Sequence, residues 1–188
     1  MYRAARPATV GGMPHLSRRA RRAVLVVHVA VSVGWLGLTL GLLALSITGY
    51  TAAPDTAAAA YRAMKIFGDW LVPPVALGSL VSGLVLSLGT AWGLARHHWV
   101  RVKFWLTLST VLLSVFALRP GINRLAAQAA AGSPAPDIGL LVAPAVATAT
   151  YFFLTAISVL KPWGPTRRGR RLRHRGRSQS AQAHGRAR

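Results

Sequence analysis

Between Ala23 and Gly49 the chain carries no Lys, Arg, Asp or Glu. The polar side chains inside that run recur at helical spacing: Ser32, Trp35 and Thr39 follow His28 at offsets of four, seven and eleven. At about 3.6 residues per turn this is a stripe along one helix face. The layout returns further on. Lys103, Thr107, Thr110 and Ser114 repeat the same offsets, Thr148, Tyr151, Thr155 and Ser158 share a face, and Ser79 and Ser82 lie beside Gly83.

The stripes fall in four apolar runs, about 23–49, 66–95, 102–118 and 138–160. A helix needs about 20 apolar residues to cross a bilayer, so the third run is short and the second long. Pro73-Pro74 near the start of the second run kinks it or marks its helical start. A helix in lipid turns its polar side toward protein. The pattern therefore predicts an all-α transmembrane four-helix bundle with a modestly polar interior, its Ser and Thr residues serving mainly as packing glue. Small residues spaced by four (Gly37 and Gly41, Ser79 and Gly83, Ala143 and Ala147) allow close approach of backbones. Around the 23–165 membrane domain lie a basic tail, 1–22, and an Arg-rich tail, 166–188, expected to be disordered.

The connections differ in kind. Arg96 to Arg101 is a tight basic turn, which makes the second and third spans antiparallel neighbours. Tyr50 to Lys65 and Arg119 to Asp137 are Ala- and Gly-rich and read as loops, with room for a short interfacial helix in either. A secretory signal has an apolar core of about 7–15 residues. The first run is nearly twice that length and reads as an uncleaved helix. The endings Ala91-Trp92-Gly93 with Arg96 and Pro162-Trp163-Gly164 with Arg167 echo each other, through duplication or through anchoring of Trp and Arg at the membrane surface.

Charge gives the orientation. Nineteen of the 23 Lys and Arg residues lie in the two tails and the middle connection, while all three acids, Asp55, Asp69 and Asp137, lie on the other side. The positive-inside rule then puts both termini in the cytoplasm of a multi-pass cell-membrane protein. The net charge of +20 sits between apolar runs rather than along a groove, which argues against specific nucleic-acid binding. Arg167, Arg168, Arg170, Arg171 and Arg173 are the candidate contacts to anionic lipid.

Few residues can carry chemistry. With no cysteine, disulfides, thiolate nucleophiles and Cys-held metals are excluded. No catalytic residue set appears. His28, inside a span, is a candidate metal or haem ligand or proton relay, or a neutral imidazole bonded to a hydroxyl across the bundle. Lys103 stands near the cytoplasmic mouth of the third span, within reach of the same pocket or snorkelling to the headgroups. Asp69 and Arg119, at the outer ends of the second and third spans, are a candidate ion pair. His97 and His98 read as surface residues.

His28-x6-Trp35-x-Gly37 resembles the first-helix motif of CopD-like membrane domains and of HemJ-type protoporphyrinogen oxidases, and Trp99-x3-Lys103 resembles the third-helix start of the HemJ group. Gly89-Thr90-Ala91-Trp92-Gly93-Leu94 and Val159-Leu160-Lys161-Pro162-Trp163-Gly164 resemble an uncharacterised family of small four-helix membrane proteins common in actinobacteria. The likeness covers roughly 23–171. The HemJ resemblance implies a porphyrin pocket of His28, Trp35 and Lys103, with haem as the cofactor. That pattern has a further histidine late in the third helix, and no histidine stands near Ser114. The expected function is a non-catalytic or accessory membrane bundle, partnered by a second copy or another membrane protein. The alternatives are a haem- or porphyrin-binding redox protein using His28, and a small transporter or metal-handling protein.

Overall fold

A computed structural model describes residues 16–89, 97–133, 135–160, 163, 166 and 170. The described chain is built from helices. Helix α1 spans Arg18–Thr51, α2 Pro54–Ile66, α3 Val72–Leu88, α4 His98–Leu113, α5 Arg119–Ala130 and α6 Ile138–Leu160. Two five-residue π turns, Phe67–Leu71 and Ser114–Leu118, join α2 to α3 and α4 to α5 without a break. The result is four long rods: Arg18–Thr51, Pro54–Leu88, His98–Ala130 and Ile138–Leu160, all long and apolar enough to cross a membrane.

The first rod begins five residues before Ala23, where the Ser17 hydroxyl accepts the Ala20 N–H at 3.2 Å and caps the helix. The fourth has the bounds expected for the fourth span. The second and third rods depart from expectation at their outer ends. The two stretches read as loops are helices α2 and α5, continuous with the spans they precede and follow. Their packing explains this. Ala57, Tyr61 and Met64 on α2, and Ile122, Leu125, Ala126 and Ala129 on α5, recur at i, i+3, i+4 and i+7 and are buried. Alanine at these positions favours helix and lets the two rods approach closely. They close on Leu42, Val72, Leu118 and Leu140 in the larger of two core clusters.

Each π turn ends two positions ahead of a proline, with a single residue between them. The Val72 N–H reaches back five residues to the Phe67 carbonyl ahead of Pro73-Pro74, and the Arg119 N–H reaches back to Ser114 ahead of Pro120. Proline removes a donor and crowds the preceding turn of a regular helix. The wider turn accommodates it, so Pro73-Pro74 neither ends nor starts the second rod.

In the half of the bundle away from the α2–α5 contact, α1 packs on α3 and α6, and α4 packs on the same two helices. The bundle is thus a square with α1 and α4 on one diagonal. Its centre is the second core cluster, Trp35, Ala76, Val111, Tyr151 and Leu154, one or more from each helix. Large apolar side chains such as Trp70, Trp105, Phe116 and Phe152 cover the outside. That inversion of the soluble-protein pattern is what a lipid-facing surface requires.

Candidate functional site

The polar stripes meet in layers, because α1 and α4 run opposite to α3 and α6. In the first layer His28 Nδ1 lies 2.9 Å from Ser82 Oγ. The Ser82 hydroxyl has one proton, and it is donated to the Gly78 carbonyl at 2.6 Å. Ser82 Oγ is then left to accept from His28, an assignment that puts the imidazole proton on Nδ1; the Ser79 backbone also hydrogen-bonds the ring. Gly83 makes room for the ring: a Cβ there would stand 3.1 Å from His28 Cε1.

On the opposite side of the square Lys103 donates from Nζ to Ser158 Oγ at 2.5 Å. Ser158 in turn donates to the Leu154 carbonyl. Lys103 lies near enough for its charge to act on the His28 imidazole, so α1 and α4 face each other at this level through their two ionisable groups. One turn further along α1, Ser32 and Ser79 share a hydrogen bond at 3.0 Å. These bonds join α1 to α3 and α4 to α6.

Trp35 belongs to a different layer. It lies seven residues past His28, about 10 Å along the helix axis. Its ring packs on Tyr151 with centroids 4.6 Å apart and planes tilted by 44°. Thr39, also buried, donates to the Leu36 carbonyl of its own helix at 2.8 Å. On α6 the expected stripe is only partly interior. Thr148 and Tyr151 are buried, whereas Thr155 is exposed and bonds back to the Tyr151 carbonyl.

A second polar cluster crosses the bundle beside the π turns. Asp69 accepts from Arg119 Nε at 3.0 Å and from Lys65 Nζ at 2.6 Å. Lys65 also donates to Asn123 Oδ1 at 2.9 Å. Asn123 and Lys65 carry no sequence motif; only the antiparallel course of α2 and α5 brings them together. Nearby, Arg124 pairs with Asp137, whose carboxylate also accepts the Gly139 N–H and caps α6.

Among the described residues there is no group of three or more His, Asp or Glu side chains able to hold a metal ion. His28 with Lys103 offers a single imidazole ligand and one cation. A single imidazole could hold one metal centre of a cofactor such as haem, and its other nitrogen is anchored by the Ser82 hydroxyl. Of the tail arginines, Arg170 is exposed; Arg167, Arg168, Arg171 and Arg173 lie outside the described residues, as do Trp92 and Pro162. Comparison with protein-family models, with curated proteins and with solved structures finds no match to this chain.

Proposed function

We propose that this chain is an integral protein of the cell membrane, with both termini cytoplasmic, whose four-helix bundle acts as a non-catalytic accessory subunit. One observation carries the reading: the ionisable side chains inside the bundle, with the hydroxyls that face them, are spent on joining helices. His28 with Ser82 and Ser32 with Ser79 tie α1 to α3, and Lys103 with Ser158 ties α4 to α6. Lys65, Asp69, Arg119 and Asn123 tie the second rod to the third. Hydrogen bonds across helices hold a bundle together where apolar burial gives little drive. A proton-transfer carboxylate has no candidate in this interior, since the chain's three acids stand at the Asp69 end.

The placement follows the charges. About 20 residues of α1 from Ala23 cross a hydrocarbon core and end near Leu42. Gly41 packs there on Phe67, two residues before Asp69, so the Lys65–Asp69–Arg119 cluster marks the outer boundary.

A second reading is favoured by the His28 imidazole standing inside the bundle with the Lys103 charge in range. With haem bound, His28 would hold the iron and Lys103 would offer a cation to the porphyrin's acidic groups; the iron would supply one-electron chemistry. This rests on the HemJ resemblance of His28, Trp35 and Lys103. Expression with haem supplied, followed by a visible spectrum of the detergent-purified protein, separates the two. A colourless protein whose His28→Ala variant differs only in stability supports the accessory reading. A Soret band that is lost in His28→Ala overturns it in favour of the haem protein.

A further inference from the structure

Hydroxyls in this bundle follow one habit. Thr39, Ser46, Thr110, Thr150, Thr155 and Ser158 each donate to a carbonyl three or four residues back in their own helix. That is the inexpensive way to bury a hydroxyl in an apolar helix. Thr148 departs from it: its Oγ1 is buried and unpartnered, although the residue is 7% exposed.

Two more polar atoms beside it share that condition. Tyr151 stands three residues along α6, on the same face as Thr148, and its ring stacks on Trp35. Tyr151 Oη and Trp35 Nε1 are both buried without a hydrogen-bond partner among the described residues, in side chains 7% and 2% exposed. The Thr110 hydroxyl lies near Tyr151 outside hydrogen-bond geometry, and its own proton is given to the Leu106 and Thr107 carbonyls. Three orphaned groups thus lie on the facing sides of α1 and α6, in the central layer of the bundle. Buried polar groups are almost always satisfied, and a cluster of exceptions points to a small partner.

We infer that Trp35, Thr148 and Tyr151 form a binding site for one ordered water molecule at the centre of the bundle. The chemistry selects the ligand. The indole N–H can only donate, so the partner must accept; the two hydroxyls donate or accept as required. A buried water makes about three hydrogen bonds, and three groups are present. No charged side chain stands in this layer to call for an ion. The site lies about 10 Å along α1 from His28 and is independent of either reading of that residue.

The test uses the full chain in lipid nanodiscs with its six tryptophans labelled at the indole nitrogen. Water-edited solid-state NMR reads which indoles exchange magnetisation with bound water, and Trp35→Phe assigns the Trp35 signal. The expected result is a Trp35 water contact at short mixing times that is lost or sharply reduced in Tyr151→Phe and in Thr148→Val. Both variants are near-isosteric, and the wild-type spectrum alone decides the point if either fails to fold. A Trp35 indole that receives nothing from water, or that receives it from lipid protons instead, overturns the inference.

Discussion

The Tyr61 hydroxyl donates to the main-chain carbonyl of Gly49 at 2.7 Å, and a Cβ on Gly49 would lie 2.5 Å from the Tyr61 ring. The two residues lock α2 down on α1 across the turn at Ala52-Ala53. Gly49 is in the last turn of α1, where carbonyls lose their helical donors, and Tyr61 supplies one. Tyr61→Phe should cost about 1–3 kcal/mol, the usual penalty for stranding a buried acceptor. Gly49→Ala should cost at least as much, because the ring must move. Thermal unfolding in a mild detergent reads both; wild-type stability in Gly49→Ala would show that the contact is loose.

The outer helices α2 and α5 should behave as core. Ile122 and Met64 are fully buried between them, and truncation of either to Ala should cost about 2–5 kcal/mol. Phe116→Ala is the control, since that ring is 75% exposed. Limited proteolysis offers a parallel measurement: cleavage within 54–66 or 119–130 of the wild-type protein, at rates typical of loops, would contradict the packing.

Asp69 holds Lys65 and Arg119 at the two π turns. These are surface pairs, the Asp69 side chain being 19% exposed and both cations about half exposed. A double-mutant cycle on Asp69→Asn and Arg119→Gln should therefore give a coupling of up to about 1 kcal/mol, weakened by salt. A coupling of zero at low ionic strength would remove the pair as a link between the rods.

His28 should carry its proton on Nδ1. Nitrogen-15 chemical shifts of labelled histidine, assigned with His28→Gln, report the tautomer directly. Ser82→Ala should release the preference and destabilise the bundle by about 1–2 kcal/mol, since it strands a half-buried donor. A neutral imidazole protonated on Nε2 in the wild-type protein would contradict the donor assignment at Ser82.

The Arg-rich tail should bind anionic membranes. A peptide of residues 161–188 should partition onto vesicles containing anionic lipid, with about 1 kcal/mol for each basic residue near the surface and a steep loss at high salt. Equal binding to zwitterionic vesicles would rule out the electrostatic contact.

How much of this was legible varies with the kind of signal. The stripe from His28 to Thr39 is periodic and surrounded by apolar residues, so its inward face could be read, and Ser82 and Ser79 answer it at matching spacing on α3. Ala57, Tyr61 and Met64 are equally periodic. Their composition is Ala-rich with polar neighbours, and apolar length was the criterion for a span, so a packed helix resembled a loop. Lys65 and Asn123 meet only through the course of two separate rods, which spacing within one element cannot express. The Thr148 hydroxyl was beyond reach for another reason. Its neighbours in the chain are ordinary for a helix, and only the folded structure shows that its Oγ1 makes no bond.

The π turns set the phase of the rods they interrupt. Buried positions along the second rod run Met64, Gly68, Val72 and Ala76, twelve residues where three turns of α-helix would hold about eleven. Phe67–Leu71 takes up the surplus residue, and the same face stays inward from Ala57 to Ser82. Each turn is thus equivalent to a single inserted residue. Deleting Trp70, which is 76% exposed, would restore an unbroken α-helical repeat but rotate one half of the rod against the other by about 100°. The tight pairing of Tyr61 with Gly49 at one end and of Ser82 with His28 at the other can coexist only because the backbone between them is irregular by one residue.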